Sequence, residues 1–512
     1  MMKLGMQKTP VKRPHHPRLR LSRLWRYGAI SLVVVLLILG LGRQPALATQ
    51  ALHYTELEFS PLPELQIPEY ETFQLDNGLQ VYLMEDHELP LIGGTALIHT
   101  GDRYEPADKV GLAGIVGTVM RSGGTETYPA DALNQFLEQR AASLETGIGL
   151  DSGSATFSAL SEDLPEVFTR FADVLRHPAF PQDKIDFTVA QIEGGIARRN
   201  DNPDDILSRE FDKLVYGSDS PYARTVEYST LGNITRADIV DFYNAYFYPS
   251  NMLLGISGDF EPAEMRQMVE AAFGDWSTGG AEPLPAEPEV SQAQTSGIFV
   301  VDQPQLSQSY IQLGHLGGTL RGPGYAEMSV VNEVLNGLGG RLVNEVRSRQ
   351  GLAYTTYAFW AARYDHPGIF IAGGQTRSDA TVPFIQLTLA EIERIRQEPI
   401  TPEELAQAKD SVLNSFVFNF QTPSQTLSRV MRYDYYDYPS DFIFQYRQDL
   451  QAVTADSVQQ VAFEQLNPDQ LVTLVVGNQA EIDPPLQSLN PDSVTPIDIA
   501  LSPQSPSEAS AN

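Results

Sequence analysis

Two side chains in the second half of the sequence have the chemistry to stabilise a developing negative charge. Arg347 and Tyr354 stand seven positions apart in the stretch GGRLVNEVRSRQGLAYTTY, residues 339–357. An arginine is a fixed cation with several donors, and a tyrosine hydroxyl is a neutral donor. Both suit a carbonyl oxygen that gains negative charge during a reaction. On spacing alone, a solvated helix arginine and a core strand tyrosine are the simpler interpretation.

The elements that must position this pair follow from the same stretch. Residues 341–349 predict a helix that breaks at Gly351, because glycine is the usual stop signal after a helical run. Residues 352–357 then predict a strand. Arg347 and Tyr354 are therefore expected on opposite sides of one break.

The spacing of the histidines does not indicate a metal site. Two zinc-binding imidazoles on one helix stand three or four positions apart, whereas the histidines after residue 48 are never closer than twelve. Each is predicted to be a surface or loop residue rather than a ligand: His53, His87, His99, His177, His315 and His366. The chain also has no cysteine, no G-x-S-x-G elbow and no G-x-x-x-x-G-K-[ST] loop. The GLGG run at 337–340 predicts a turn.

An apolar helix is predicted over residues 111–120, GLAGIVGTVM, within a recognisable series of motifs. The series is NGLQV at 77–81, GDRYEP at 101–106 and GLA at 111–113. In this setting the chain resembles the pitrilysin/insulinase family of zinc peptidases, which includes the mitochondrial processing peptidases. The resemblance implies that this helix would carry His-x-x-Glu-His, with two zinc ligands and a glutamate that polarises water. Gly114, Gly117 and Thr118 stand at those positions.

The third zinc ligand that the resemblance implies is also missing. In the family it is a glutamate in a stretch resembling EEI…DDP, some seventy residues further on. Aligned on Ile196 and Pro203, both carboxylates of that stretch become Gly194 and Gly195. Glu193 lies one place out of register, and alone it cannot hold a metal. We therefore expect no zinc in this chain.

The resemblance also covers the Arg347 and Tyr354 stretch, because RL-x-x-E-x-R-x-x-x-G-L-A-Y is complete. It implies that the pair binds the substrate backbone near the scissile bond. In the two-chain bacterial members the equivalent pair sits on the subunit that lacks His-x-x-Glu-His. The partner expected from this resemblance is a homologous subunit that carries the zinc motif.

An internal repeat predicts the domain organisation. The segments around Thr235 and Thr454 both read as a threonine N-cap, an amphipathic helix, a proline and a buried strand ending in glycine, 219 residues apart. Helix starts near 180–183 and 400–404 repeat at nearly the same offset. The expected fold is α+β, with two tandem, similar α/β domains of the processing-peptidase (LuxS/MPP-like metallohydrolase) type.

The composition sets the expected boundaries of these parts. They are a signal peptide at 1–48, an extended lead-in at 49–71, an N-terminal domain at 72–275, a linker at 276–297, a C-terminal domain at 298–483 and a disordered tail at 484–512. Within the first domain, helices are predicted at 129–146, 164–175, 182–200 and 235–247, and a strand at 252–258.

The N-terminus and the charge indicate where the protein works and what it attracts. Basic residues precede an apolar run at 28–42 and the small-x-small pattern Ala46-Leu47-Ala48, typical of a cleaved signal of the general secretory route. The run is shorter than the ~20 residues of a spanning helix, so an uncleaved anchor is the alternative. Removing residues 1–48 changes the formal net charge from −30 to −39. Such a surface repels nucleic acid and attracts basic peptides, although solubility is the simpler explanation.

Three functions remain open. The leading hypothesis is a non-catalytic, substrate-binding subunit of a heterodimeric zinc endopeptidase, inactive alone. The second is a non-enzymatic structural or assembly protein, like the core subunits of respiratory complexes. The third is an autonomous peptidase, which would need a carboxylate–histidine cluster that the sequence does not show.

Overall fold

A six-stranded mixed sheet organises the first half of the molecule. The computed structural model describes residues 68–277, 285–337, 339–489 and 494–501. The strands of this sheet are β1 (Glu71–Gln74), β2 (Gln80–Glu85), β3 (Leu91–Ile98), β4 (Ser143–Ile148), β5 (Gly153–Leu160) and β6 (Met252–Gly258). Their spatial order is β1-β2-β6-β3-β5-β4, with only β2 and β6 parallel. The tight turn at Asn77-Gly78 joins β1 to β2, as the sequence predicts.

Helices of the first half pack mainly on one face of this sheet. They are α1 (Leu112–Ser122), α2 (Ala130–Gln139), α3 (Leu164–Arg176), α4 (Gln182–Arg198), α5 (Pro203–Tyr216), α6 (Tyr228–Gly232), α7 (Arg236–Tyr246) and α8 (Pro262–Phe273). The apolar stripes of α1, α3 and α7 join the inward side chains of β3 and β5 in one buried cluster. The helix α1, which bears the altered zinc motif, is therefore fixed by burial on several sides.

The second half repeats this arrangement. Its strands are β7 (Gly297–Asp302), β8 (Gln308–Leu316), β9 (Ala353–Ala361), β10 (Ile369–Arg377), β11 (Val472–Gly477) and β12 (Val494–Pro496). Its helices are α9 (Tyr325–Asn336), the π-helix Val343–Arg349, α10 (Thr381–Gln397), α11 (Pro402–Ser415), α12 (Pro423–Tyr435), α13 (Phe442–Ala452) and α14 (Ala455–Gln465). The strand order is β12-β7-β11-β8-β10-β9.

The predicted duplication is confirmed by equivalent elements in the two sheets. Thr235 caps α7 and Thr454 caps α14, and both side chains accept a backbone N–H in a capping box. Each helix leads through a proline turn into a central strand, β6 or β11, at the same place in its sheet. The two tandem α/β domains of the prediction are thus present.

One helix from each half crosses to cover the sheet of the other half. Helix α5 packs its apolar side against Phe299, Val301 and the strand β11. Helix α12 packs on the first sheet, where Leu427 and Met431 contact Tyr82 and Leu253. The helices occupy equivalent positions, because α5 packs on β11 and β8 and α12 packs on the corresponding strands β6 and β3. Each also starts with a polar N-cap followed by proline at 203 or 423.

Two sequence expectations are corrected by these elements. The helix predicted over 129–146 ends at Gln139, because Ala141 adopts a left-handed φ of 48° and residues from Ser143 alternate as the edge strand β4. The predicted disordered tail at 484–512 is wrong for residues 494–501, since β12 pairs in parallel with β7 and the amide of Ile497 donates to the Val300 carbonyl. The polar composition of this segment did not indicate the short strand β12, which is the edge strand of the second sheet.

The linker and the N-terminus are described only in part. Within the predicted linker, the amides of Ala293 and Gln294 donate to the carbonyls of Val215 and Leu214, so its second part lies against α5. The predicted signal peptide at 1–48 and most of the lead-in lie outside the described residues. No helix in the described ranges is both long and apolar enough to cross a membrane.

Candidate functional site

The structure brings Arg347 and Tyr354 together on the surface of the second half. The guanidinium carbon of Arg347 lies 4.5 Å from the centre of the Tyr354 ring. Tyr354 is 80% exposed and Arg347 is also exposed. Gly351 forms the break between them with a left-handed φ of 61°. The structure gives the Arg347 guanidinium no ion pair and the Tyr354 hydroxyl no hydrogen bond with any described residue, so both retain free donors.

Backbone irregularities on both sides of the break direct the pair outward. Residues 343–349 form a π-helix rather than the predicted ordinary helix, and the amide of Gln350 donates to the Glu345 carbonyl at 3.1 Å. In β9 the pairing with β10 shifts by one residue, so Tyr354 has no opposite partner between Ala353 and Thr355. Such bulges and π-turns re-aim side chains and are frequent at functional sites. The sequence motif did not reveal either irregularity.

A buried arginine anchors the start of the Arg347 helix. Arg341 donates from Nε and a terminal nitrogen to both oxygens of Glu404, at 2.7 and 2.9 Å. The hydrogen bond from Arg341 lowers the pKa of Glu404, which keeps this carboxylate charged. Glu404 also accepts the amide of Thr401 at the start of α11. One bidentate pair therefore fixes the π-helix against α11, a role that the position of Arg341 in the motif did not indicate.

The altered zinc helix offers backbone rather than ligands. A Cβ at Gly114 would meet nothing within 4 Å, whereas a Cβ at Gly117 would lie 2.5 Å from the amide nitrogen of Ile148 in β4. The Thr146 hydroxyl donates to the Gly117 carbonyl at 2.6 Å, and Thr118 is exposed. Helix and strand touch directly at Gly117, so β4 occupies the space of the missing glutamate side chain.

The described residues contain no group of three or more His, Asp or Glu side chains placed to hold a metal ion. Glu193 is partly buried in α4, and its backbone carbonyl accepts the Tyr228 hydroxyl at 3.4 Å. Gly194 and Gly195 lie beside it without side chains to contribute. That this chain binds no zinc stays a prediction.

The motif GDRYEP contributes an ion pair between the two halves of the chain. Arg103 is buried and pairs with Asp365 of the second half at 2.6 Å. Although burial alone would raise it, the pKa of Asp365 is lowered by the hydrogen bond with His366 and by the charge of Arg103. The motif thus joins the two halves through a buried ion pair.

The glutamate of the same motif caps the altered zinc helix. Glu105 accepts the amides of Gly111 and Ala113 at 2.9 Å, which satisfies two free donors at the start of α1. Burial raises the pKa of this carboxyl to about 7, despite the two hydrogen bonds. The start of α1 is therefore held by a side-chain cap from the same motif.

The histidine prediction is wrong at His315, which is buried in the strand β8. His366 lies in the loop between β9 and β10, as predicted, but is buried there. Nδ1 of His315 lies 2.8 Å from the Leu316 carbonyl and its Nε2 accepts the Asn467 amide, while His366 contacts Asp365 at 2.6 Å. Buried polar groups need such partners, and the sequence spacing could not show that these histidines have them.

Comparisons with known proteins identify the class that this fold and site define. Residues 95–225 match the family model described as insulinase (peptidase family M16), and residues 233–412 match the one described as peptidase M16 inactive domain. The chain belongs to peptidase family M16, the insulinase family, and the predicted family resemblance is confirmed.

Relatives and solved structures agree with this assignment. The uncharacterized zinc protease YmxG of Bacillus subtilis is 22% identical over 363 residues, 70% of this chain and 86% of that protein. Subunit 1 of the bovine mitochondrial cytochrome b-c1 complex is 24% identical over 54% of this chain and 56% of its own length. A peptidase M16 inactive domain from Pseudomonas fluorescens superposes with a TM-score of 0.71, at 24% identity, over 80% of this chain and 98% of its own. The periplasmic protease PqqL of Escherichia coli gives a TM-score of 0.69, at 17% identity, over 83% and 49%.

Proposed function

We propose that this chain is the non-catalytic, substrate-binding subunit of a heterodimeric zinc endopeptidase of the M16 family. The observation that carries the proposal is the paired, exposed and otherwise uncommitted Arg347 and Tyr354. A homologous partner with His-x-x-Glu-His would hold the zinc and supply the general base. This chain would contribute donors to a peptide bound near the partner's metal.

The chemistry of the pair fits a peptide carbonyl that becomes an oxyanion. The Tyr354 hydroxyl donates one hydrogen bond, and the Arg347 guanidinium donates a charge-assisted one. The Tyr354 ring lies against the guanidinium, which limits the motion of both side chains. Arg341 and Glu404 hold the π-helix, so the donors are preorganised rather than recruited.

The proposed location is outside the cytoplasm, in the periplasm or another extracytoplasmic space. The basic N-terminus, the short apolar run and the small-x-small pattern at 46–48 support export by the general secretory route. The structural likeness to a protein described as a periplasmic protease agrees with this location. An uncleaved signal would instead keep the chain attached to the membrane.

Reconstitution with the zinc-bearing homologue tests the proposal. Alone, the purified chain should contain no stoichiometric zinc by elemental analysis and should cleave no basic reporter peptide. Mixed with the homologue, it should raise peptide turnover. Tyr354→Phe should lower that turnover by about 10²–10³, the scale for losing one oxyanion donor, and Arg347→Ala by at least as much.

A neighbouring arginine provides the matched control. Arg349 is exposed on the same π-helix, and its guanidinium pairs with Glu345 at 2.7 Å. Arg349→Ala should leave turnover within about twofold, because a surface ion pair contributes little. Full turnover by both the Arg347→Ala and Tyr354→Phe pairs would overturn the proposal, as would zinc bound tightly to this chain alone.

A structural or assembly role is the second candidate. It is favoured by the similarity to subunit 1 of the bovine cytochrome b-c1 complex, which shares 24% of the aligned residues. Co-purification of the native protein, followed by mass spectrometry, separates the two functions. A zinc-motif homologue in the complex supports the peptidase subunit, and a membrane complex without one supports the structural role.

A further inference from the structure

A cavity of about 410 Å³ lies between α12, the short 3-10 turn Phe416–Phe420 and Tyr364. Two arginines, two serines, two amide side chains and two aromatic rings line it. None of these lining residues is acidic, although the chain has 65 Asp and Glu against 35 Lys and Arg. The chemical character of this cavity is therefore opposite to the average surface.

Neither arginine of the cavity has a carboxylate partner among the described residues. Arg429 is partly buried, and its guanidinium donates to the Asn419 amide oxygen and, at 3.4 Å, to the Tyr433 hydroxyl. Its Nε is buried without a partner. Neutral groups thus hold this guanidinium in place without neutralising its charge.

The second arginine adds a like charge on the same side of α12. Arg432 lies three positions further on and is exposed, with its guanidinium carbon 6.0 Å from the centre of the Tyr364 ring. Residues three apart are neighbours on a helix, and like charges there repel. The buried Arg103 and Arg341, by contrast, are paired with the carboxylates of Asp365 and Glu404. An anion between Arg429 and Arg432 would relieve the repulsion.

The cavity continues into a larger groove on the first sheet. Ser424 and Ser428 line both the cavity and a second space of about 600 Å³, which extends to Ser143 at the edge strand β4. Threonine, serine and glycine positions of β3 and β5 line this groove. An extended peptide that lies in the groove would therefore reach the two arginines at one end.

We propose that Arg429 and Arg432 form a subsite for a peptide carboxylate at the end of this groove. The guanidinium donors and the Ser428 hydroxyl would bind the carboxylate, and the exposed Phe418 ring would contact an adjacent apolar side chain. The inference rests on the proposed peptide-binding function and adds a feature of the ligand. A basic peptide suits the acidic surface, and its carboxylate suits this cavity.

Binding of matched peptides to the purified chain alone tests the subsite. The probes are Lys-Ala-Ala-Ala-Phe with a free carboxylate, the same peptide with a C-terminal amide, and Lys-Ala-Ala-Glu-Phe amide. By calorimetry the free acid should bind about tenfold or more tightly than its amide, the scale of a charge-assisted hydrogen bond. If the glutamate peptide matches the free acid, the subsite holds a side-chain carboxylate rather than a terminus.

Arginine variants decide whether this preference belongs to the cavity. Arg432→Gln should reduce the preference to less than about threefold, and because Arg432 is exposed the fold should persist. Arg429→Lys keeps the positive charge but loses the planar pair of donors that a guanidinium offers a carboxylate. It should therefore reduce the preference for the free acid in part. Arg447→Gln is the control, since Arg447 lies on α13 outside the cavity.

The proposal is overturned if the free acid and the amide bind equally, or if the preference survives in Arg432→Gln. No zinc-bearing partner is present in these measurements. Equal binding of the free acid and the amide would consequently not contradict the proposed roles of Arg347 and Tyr354. In the same way, a reconstituted pair without activity would not contradict the carboxylate preference.

Discussion

The two edge strands β4 and β9 occupy equivalent places in their sheets, yet each meets its helix differently. In the first half α1 touches β4 through Gly117, and the Arg121 side chain donates to the Leu144 carbonyl at 2.8 Å. In the second half two asparagines of α9 stand between helix and strand. The first junction is therefore closed by backbone contact, and the second is spaced by side chains.

The asparagines occupy only part of the β9 edge. Asn336 binds both the amide and the carbonyl of Ala358, and Asn332 does the same for Trp360. These groups face away from β10, so they would otherwise be the free edge of the sheet. The edge near Tyr354 has no such cover among the described residues. One duplicated scaffold thus closes the helix–strand junction in one half and leaves part of the strand edge uncovered in the other.

The largest expected effect is at the closed junction. Gly117→Ala places a Cβ 2.5 Å from the Ile148 nitrogen, so β4 must move, and we expect a loss of about 3 kcal/mol in the free energy of unfolding. Gly114→Ala is the control, because its Cβ meets nothing within 4 Å. That change should stabilise α1 by about 0.5–1 kcal/mol. Urea unfolding measures both, and equal stabilities would contradict the closed junction.

The cap of α1 should give a pH-dependent effect. Because burial raises the pKa of Glu105 from 4.5 to about 7, its contribution to stability is fully present below about pH 4.5 and is lost as the pH rises through 7. Relative to Glu105→Gln, the wild-type chain should lose on the order of 2–3 kcal/mol across this window. Urea unfolding at intervals between pH 4.5 and 8 measures the difference. If the free energies of unfolding of the two proteins change with pH in parallel, burial does not raise the pKa of Glu105.

The spaced junction should be sensitive to loss of one asparagine. Asn336→Ala leaves the buried amide and carbonyl of Ala358 without partners, which should cost about 1–3 kcal/mol. Asn344→Ala removes a single exposed hydrogen bond to Gly339 and should change stability by less than about 0.5 kcal/mol. Thermal unfolding of both variants makes the comparison. Equal melting temperatures would mean that the asparagine does not hold β9.

The threonine N-caps that the two halves share should give the smallest losses in the free energy of unfolding, and nearly equal ones. Thr235→Ala and Thr454→Ala each remove one capping hydrogen bond from an equivalent helix, so each should cost about 1 kcal/mol. The sites belong to separate halves, so the double variant should lose the sum. Chemical unfolding of the three variants checks this. A large effect in one half and none in the other would show that the helices are not equivalent in stability.

Patterns of local chemistry predicted most of the fold. Threonine caps, prolines and terminal glycines located α7, α14 and the strands β6 and β11, because each of these signals acts within a few residues. The repeat offset then predicted two similar domains. The third repeated start, at Asn202 and Thr422, was not found, because it consists of only a polar residue and a proline.

The sequence names the residues of the candidate site but does not indicate their geometry. Arg347 and Tyr354 follow from a local motif, whereas the bulge at Tyr354 depends on the register between β9 and β10. The contact between Gly117 and Ile148 joins residues that are distant in sequence, and no local pattern encodes it. The family motif therefore singled out the two donors, and long-range contacts determined their surroundings.

The exchange of helices between the two sheets has a consequence for synthesis. Helix α5 is made before the sheet that it covers, but α12 is made long after the strands of the first sheet. A nascent or truncated chain that ends before residue 422 leaves Tyr82, Met84 and Leu253 without their cover. Exposed apolar sheet faces promote aggregation during folding. The apolar face of the first sheet is therefore fully covered only after residue 435 has been synthesised.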